Sequence, residues 1–246
     1  ETFFREARLT RLVAPAIRMA AAGLDADDFR ASCRDLAADL GRPEGWEDAY
    51  RAAREAQRRF DEACREIGRQ ALAFAREHAV VPVVVQGRAY TIHNDVLNSN
   101  VPTLLRKQGA LGIPVDCLPV PDQVPVFHDV YWHYAQANLR ASHHVRRTDG
   151  VYSVFCSNYA CGPDSFNLHF HAYAMENKPH VVIETDGHSG DAGTATRIEA
   201  FLHCVEADLK VPAAERRRRR VNRFRALEQE KQDLAETRRR GDVLLI

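Results

Sequence analysis

The apolar and polar positions follow one pattern before residue 80 and a different pattern after it. From Trp46 to His78 there is no proline and only one internal glycine, and the apolar residues recur at helical spacing. This stretch predicts a long amphipathic helix. Residues 5–40 predict two shorter helices separated near Gly23, so residues 1–79 are expected to form an all-helical N-terminal segment.

After residue 79, short apolar runs rich in Val and Ile alternate with helical stretches. Runs that are apolar on both faces are typical of parallel strands that are covered on both sides. The pattern predicts an α/β domain over residues 80–210, with a doubly wound, mostly parallel sheet and helices on both faces. The predicted strands are 80–85, 113–118, 151–156 and 181–185, and the predicted helices lie near 97–110, 128–147, 164–175 and 191–208.

The end of the sequence has a different charge from the rest. The formal net charge of the chain is zero, but residues 211–246 carry 11 Lys and Arg against 6 Asp and Glu. Glutamates dilute the arginines of the helix predicted here, so a solvated helix is favoured over a nucleic-acid contact. Residues 241–246 predict a turn and the start of a further strand. Because a strand without its covering helix is incomplete, we expect this sequence to be a piece of a longer protein.

Composition excludes several classes of protein. With 45% apolar and 28% charged residues, the chain is neither collagen-like nor wholly disordered. No apolar run approaches the roughly 18 residues of a membrane span, and the first residues are too charged for a signal peptide. The six cysteines form no CxxC pair. We therefore expect a cytoplasmic protein with reduced thiols and with neither a membrane nor a nucleic acid as its partner.

Polar residues collect in three loops that follow predicted strands, at 86–95, 157–164 and 186–193. Because the carboxyl ends of parallel strands meet at one edge of a sheet, these loops are expected to open on the same edge. The side chains expected to converge there are Arg88, His93, Cys161, Asp164, Asp186, His188 and Asp191.

Two residues in these loops suggest chemistry. Cys161 comes just before a predicted helix whose first turn suits Pro163, and free amides at a helix N-terminus favour a thiolate. Such a thiolate is a nucleophile or a metal ligand, and a small buried residue in a tight turn is the alternative. His188, between Asp186 and Asp191, is a candidate general base or metal ligand, or part of a loop held by Asx turns.

The remaining candidates are weaker. Gly87 and Arg88 suit a phosphate contact, although they form no known nucleotide-binding loop. Cys33, Cys64 and Cys204 lie in predicted helices, and we expect them to pack in the core.

Four segments together resemble a known family. They are QGRAYTIHNDVLN, DVYWHYAQANLRAS, SNYACGPDSFNLHF and ETDGHSGDAGTATRIEAFL. They are similar to the central region of the 2-hydroxyacyl-CoA dehydratase activator family, also called CoA-substrate-specific enzyme activases, over roughly residues 80–206. Ala89 and Thr91 depart from the first motif and are expected to loosen its turn. The matching residues are Gly87, Arg88, Tyr90, Trp132, Tyr134, Gln136, Asn158, Cys161, Gly162, Pro163, Asp164, Ser165, Phe166, Asp186, His188, Ser189, Asp191, Ala192, Gly193, Arg197 and Glu199.

The resemblance implies a module of an iron–sulfur protein that couples ATP hydrolysis to low-potential electron transfer. It implies Cys161 as one ligand of a [4Fe–4S] cluster, and ATP would act only through parts that this sequence lacks. A cubane takes three or four thiolates, so this cysteine alone cannot hold one. The expected partner is a CoA-ester enzyme or a redox protein, and a homodimer is left open. The catalytic candidates are Asp186, His188 and Asp191, and the cofactor-binding candidates are Gly87, Arg88, Tyr90, Asp164 and Ser165.

Two other functions remain open at this point. One is a self-contained enzyme in which Cys161 is the nucleophile and His188 or His93 is the base. The other is a non-catalytic α/β domain that docks a partner through its Ala- and Arg-rich helices. If the resemblance holds, the chain is a component of an ATP-dependent activase or reductase.

Overall fold

The chain is described here from a computed structural model. The structure describes residues 13–18, 23–127, 130, 132–185 and 191–219, and of Asp191 it describes the backbone alone. The chain divides into two compact units, Glu1–Ala63 and Cys64–Ile246. Most of the first helix predicted within residues 5–40, most of the predicted basic helix and the predicted fifth strand lie outside the described residues. Residues 13–18, which that first helix was expected to include, are described and are not helical.

The first unit contains helix α1 (Asp27–Asp39) and the first part of helix α2 (Trp46–Glu77). A short 3-10 turn precedes α1, and the Tyr50 hydroxyl of α2 donates a hydrogen bond to the Leu24 carbonyl at 2.6 Å. The Tyr50 ring also lies 6.3 Å from that of Phe29. These contacts join α2 to α1, and the predicted long helix is confirmed.

The second unit contains a four-stranded sheet. Its strands are β1 (Val81–Gln86), β2 (Ala110–Pro114), β3 (Tyr152–Ser157) and β4 (His180–Glu184). They lie in the order β2-β1-β3-β4, and every pair of neighbours is parallel. All six residues of β3 are buried, as expected for a central strand covered on both faces. The predicted α/β fold is confirmed.

Five helices connect and cover the strands: α3 (Ala89–Ile92), α4 (Val101–Lys107), α5 (His133–Arg147), α6 (Asp164–Met175) and α7 (Asp191–Lys210). Helix α4 contacts α7, and α5 contacts α6. Right-handed crossovers in this strand order place these two helix pairs on opposite faces of the sheet. In the described ranges, no helix combines the length and the apolar character needed to cross a lipid bilayer.

Several predicted boundaries are wrong. Helix α4 begins at Val101 rather than near residue 97, because Ser99 and Asn100 have φ angles of 49° and 56°. The strand predicted at 113–118 lies at Ala110–Pro114, and its pairing with β1 ends where Pro114 faces Val85. The apolar pattern continues beyond it because Val115 and Leu118 are buried in and after a 3-10 turn.

The cysteines predicted to pack in the core are less buried than expected. Cys204 is exposed on α7, and Cys33 and Cys64 are only partly buried. Cys64 lies instead against Cys117, with a side-chain hydrogen bond between the two thiols. One turn further along α2, a Cβ on Gly68 would lie 1.6 Å from the Cys117 carbonyl oxygen. The backbones therefore approach too closely here for any residue but glycine.

The strand order determines where a ligand would bind. Strands β1 and β3 are neighbours, but the chain leaves β1 towards β2 and leaves β3 towards β4. In open α/β sheets the crevice lies at such a switch point, outside the carboxyl ends of the two strands. The loops after Gln86 and Ser157 border this β1/β3 crevice.

Candidate functional site

An arginine and an aspartate meet at the β1/β3 crevice. Arg88 follows β1 and Asp164 begins α6, and Arg88 Nε lies 3.3 Å from Asp164 Oδ2. Only 16% of the Arg88 side chain and 2% of the Asp164 side chain are exposed. Arg88 Nη2 is buried as well, and it has no hydrogen-bond partner among the described residues. Because buried donors are normally satisfied, its N–H groups are available to an oxygen of a ligand or of water.

Several opposing effects act on the pKa of the Asp164 carboxylate. Burial raises the pKa of Asp164, and the Arg88 guanidinium and a hydrogen bond from Ser157 oppose that rise. The Ser157 hydroxyl donates to Asp164 Oδ2 at 3.2 Å. Glu184, the last residue of β4, acts in the same direction as burial through its negative charge. Sequence reasoning missed Glu184, whose position at the end of a strand was the available signal.

Gly87 is fixed by a buried amide from another helix. Its N–H donates to Asn138 Oδ1 at 3.1 Å, and Asn138 Nδ2 donates back to its carbonyl at 3.0 Å. The φ of Gly87 is 142°, and a Cβ there would lie 2.4 Å from the Cys156 carbonyl oxygen. Glycine is therefore required both by conformation and by space. Sequence reasoning missed Asn138, which is a polar residue on the apolar face of α5.

A polar network continues behind Gly87. Gln86 Nε2 donates to the Asn138 carbonyl at 3.2 Å, and Ser142 Oγ lies 2.8 Å from Nδ1 of His171 on α6. His171 is fully buried, and this burial, with the nearby His180, lowers the pKa of His171 to about 3. His171 is therefore a neutral group buried in this network.

Asn158 connects the loops that follow β1, β3 and β4. It accepts a hydrogen bond from Thr91 Oγ1 at 2.8 Å, and its Nδ2 donates to the Thr185 carbonyl at 2.9 Å. The Thr185 hydroxyl in turn donates to the Leu97 carbonyl. The expectation that Thr91 loosens its turn is wrong, because its hydroxyl ties the β1 loop to the β3 loop.

Cys161 lies at the solvent side of the crevice. It is exposed, in a turn where Tyr159, Ala160 and Gly162 have φ angles of 51°, 53° and 60°. Left-handed backbone at two non-glycine residues costs roughly 1–3 kcal/mol each and is concentrated at functional sites. A Cβ on Gly162 would lie 3.6 Å from Arg88 Nη1, so this turn runs beside the buried guanidinium. The alternative of a small buried residue is wrong for Cys161.

The amides that were expected to stabilise a thiolate at Cys161 are occupied. The N–H groups of the first four residues of α6 donate to the carbonyls of Cys161, Gly162 and Pro163 at 3.0–3.4 Å. The Ser165 hydroxyl donates to the Gly162 carbonyl at 2.8 Å. The helix N-terminus is thus capped by its own turn, and the free amides predicted there are not found.

Tyr90, His93 and Asp191 are the remaining predicted site residues that the structure describes. Tyr90 is exposed, with the Arg88 guanidinium 4.8 Å from its ring centroid. His93 Nε2 lies 2.7 Å from Asp116 Oδ2, and no hydrogen bond joins His93 to Cys161 among the described residues. Asp186 and His188 lie outside the described residues, and Asp191 is the first residue of α7.

Two further motif residues have structural partners. Tyr134 donates to Asp116 Oδ2 at 3.2 Å, and burial together with Asp116 raises the pKa of Tyr134 to about 12. Gln136 bonds to both backbone groups of Phe127, accepting at 2.9 Å and donating at 2.6 Å. Trp132 stacks on Phe166 at 6.3 Å. These contacts hold the segment before α5 and the start of α6.

Comparison with known proteins finds a family match for the N-terminal part of the chain, from the first unit to the end of the 3-10 turn after β2. Residues 6–118 match the family described as the CoA enzyme activase uncharacterised domain. Over these residues the chain is related to the CoA enzyme activases. The relationship predicted from the motifs is therefore confirmed, although the match also covers the helical N-terminal segment, where no motif indicated it. No curated protein and no solved structure matches the chain.

The family match includes the first motif, in the loop after β1, and it ends before the motif that contains Cys161. The roles of Cys161 and of the loop after β4 thus depend on the motifs and on the geometry of the crevice. In the part of the chain that the structure describes, no three His, Cys, Asp or Glu side chains are grouped to hold a metal ion.

Proposed function

We propose that the chain is a module of an ATP-coupled iron–sulfur activase or reductase that passes low-potential electrons to a CoA-ester enzyme. The observation that carries this proposal is Cys161, an exposed thiol beside the buried Arg88–Asp164 pair, in a chain related to CoA enzyme activases. An accessible thiol on a turn held by Asn158 and Ser157 suits a ligand that must meet a second polypeptide.

Cys161 fits one ligand position of a [4Fe–4S] cluster, and this chain does not complete the set. All six cysteines of the sequence lie in described residues, and they form no group of three metal ligands with His, Asp or Glu there. A cubane takes three or four thiolates. The proposal therefore assigns the other ligands to a polypeptide outside this sequence. The cluster, when bound, would supply one-electron transfer.

The residues around Cys161 would orient that cluster and its charge. Arg88 Nη2 is buried without a hydrogen-bond partner among the described residues, so the guanidinium can offset negative charge at the crevice. Gly87, Asp164 and Ser165 position this guanidinium and the turn. We assign acid–base chemistry to Asp186 and His188, which lie between β4 and α7 in the sequence, and to Asp191, the first residue of α7.

Iron analysis tests the proposal. The full-length polypeptide that carries this sequence is purified anaerobically with its partner, and its iron, acid-labile sulfide and visible absorption are measured. We expect Cys161→Ser to lower iron and absorption together. Cys204→Ser is the matched control, because Cys204 is also exposed but lies on α7. An iron-free wild type, or an unchanged iron content in Cys161→Ser, would contradict the proposal.

The exposure of Cys161 also suits the nucleophile hypothesis, and the same variants separate the two. A nucleophile predicts that iodoacetamide modifies Cys161 before Cys204 at neutral pH, and that Cys161→Ala abolishes turnover in an iron-free enzyme. His93 Nε2 is bonded to Asp116, which can orient this imidazole, and both His93 and His188 stay candidates for the base.

A further inference from the structure

Helix α2 exposes large apolar side chains at a regular interval. Phe60, Ile67 and Phe74 are 62%, 58% and 48% exposed. They are seven residues apart, and Ala53 occupies the preceding position of the same row. Single exposed apolar residues are normal on protein surfaces, but a seven-residue row along one helix is the sequence pattern of a helix–helix seam.

A second row lies beside the first one. Ala49, Ala56 and Ala63 are also exposed. Ala56 and Ala63 each lie three residues after a position of the first row, and Ala49 lies four residues before Ala53. Spacings of three and four residues are the a and d positions of a heptad repeat. The two rows form the α2 stripe, which consists of Ala49, Ala53, Ala56, Phe60, Ala63, Ile67 and Phe74.

We propose that the α2 stripe pairs with the same stripe of a second copy of this chain, with the two helices antiparallel. In an antiparallel seam, a positions pack against d positions of the other helix. Phe60 would then pack against Ala63 of the second copy, Ile67 against Ala56, and Phe74 against Ala49. Each of these three layers would contain one large and one small apolar side chain, which keeps the packing even. Ala53, in the same register, would face Gln70 of the second copy.

A parallel pairing fits the stripe less well. It would place Phe60 against Phe60 and Ala63 against Ala63, so that crowded layers alternate with layers too small to fill the space between the helices. Because voids and overpacking both destabilise, the order of large and small residues along α2 selects the antiparallel arrangement.

The charges beside the stripe select the same arrangement. Arg59 and Glu66 each precede a large residue of the a row, and both are exposed. In the antiparallel pair, Arg59 of each copy would face Glu66 of the other, so the contact occurs twice. A parallel pair would place Arg59 opposite the uncharged Cys64. Glu66 also accepts bonds from Arg69 and Gln70 of its own helix, at 2.8 Å and 2.9 Å, and the two carboxylate oxygens have lone pairs for a third donor.

This inference goes beyond the proposed function, because no residue of the stripe belongs to the β1/β3 crevice. Iron content and self-association are separate measurements, so one proposal can fail without the other.

Self-association measured by analytical ultracentrifugation over a concentration series tests the pairing. We expect a monomer–dimer equilibrium that Ile67→Glu weakens by roughly 100-fold or more, because it buries an unpaired charge twice. Phe170→Glu is the control, since Phe170 is 54% exposed but lies on α6. Arg59→Glu and Glu66→Arg should each weaken the dimer, and the double variant should restore it.

Each alternative outcome overturns the pairing. A wild type that is monomeric throughout shows that the stripe does not join two copies. If Ile67→Glu lowers the Tm of a monomer without changing its mass, a segment of the same chain covers the stripe. If the dimer forms but the charge-swapped pair does not restore it, the helices are not antiparallel.

Discussion

The carboxyl edge of the sheet and the outer face of α2 depart from the usual distribution of residues in opposite ways. At the edge, polar side chains such as Asn138, Ser142 and Asp164 are no more than 1% exposed. On α2, the apolar side chains of Phe60 and Ile67 are more than half exposed. The polar groups are inside in one region and the apolar groups are outside in the other.

The two departures have different physical meanings. A buried polar group is costly unless it is hydrogen-bonded, and the edge meets that requirement with bonds that also fix the backbone. An exposed apolar row does not stabilise the folded monomer in this way, so the regular spacing of the row needs another explanation. The edge is therefore a region where substitutions cost stability, and the α2 stripe is one where they should affect association.

The largest loss of stability is expected from Gly87→Ala. The added Cβ would lie 2.4 Å from the Cys156 carbonyl oxygen at a φ of 142°, so the free energy of unfolding should fall by about 4 kcal/mol. Urea unfolding measures it. Gly193→Ala is the control, because a Cβ there meets no atom within 4 Å and the residue lies in α7. The control should gain about 0.5 kcal/mol.

A smaller loss is expected from Asn138→Ala. The substitution leaves both backbone groups of Gly87 buried without partners, which should lower the free energy of unfolding by about 3 kcal/mol. Asn138→Asp keeps a hydrogen-bond acceptor for the Gly87 N–H, so it should lower the free energy of unfolding less than Asn138→Ala does. Equal stability of Asn138→Ala and wild type in urea would show that Asn138 does not hold the β1 loop.

The buried polar network should also make stability depend on pH. His171 has its pKa lowered to about 3 by burial, whereas in the unfolded chain it titrates near 6.5. The unfolded state therefore binds the proton first, so stability should fall by about 2 kcal/mol as the pH drops from about 6.5 to about 5. His171→Gln should remove this part of the slope. His169→Gln, at an exposed position of the same helix, should leave it unchanged.

The smallest effect is expected on α2. Phe60→Ala removes an exposed ring, so the unfolding free energy of the monomer, measured at low protein concentration, should change by less than about 0.5 kcal/mol. Leu72→Ala on the same helix should cost about 2 kcal/mol, because Leu72 packs against the core. If both variants lose the same stability, the contrast between the two faces of α2 is wrong.

Much of the fold could be predicted because its strands are buried on both faces. That burial produces apolar runs, and Pro163 indicated the start of α6 at Asp164. The end of β2 could not be predicted from the same signal. Val115 remains buried after the strand stops, so the apolar pattern continues without a break through the turn.

The candidate site was only partly visible in the sequence. Arg88 and Asp164 could be placed together because both follow neighbouring parallel strands. Asn138 and His171 could not, because they reach the site from the middle of helices and act through buried hydrogen bonds. Which polar residue of a helix faces inward depends on tertiary packing, which periodicity indicates only for the apolar positions.

The hydrogen bonds of Asn158 affect how the loops around the crevice can move when a ligand binds. Its single amide side chain is bonded to Thr91 and to Thr185, whose hydroxyl continues the chain of bonds to Leu97. Displacing one of these loops would strain the bonds to the other two. The three loops would then move together when a ligand binds. A displacement beside Cys161 would be transmitted to the residues that lead into the loop between β4 and α7.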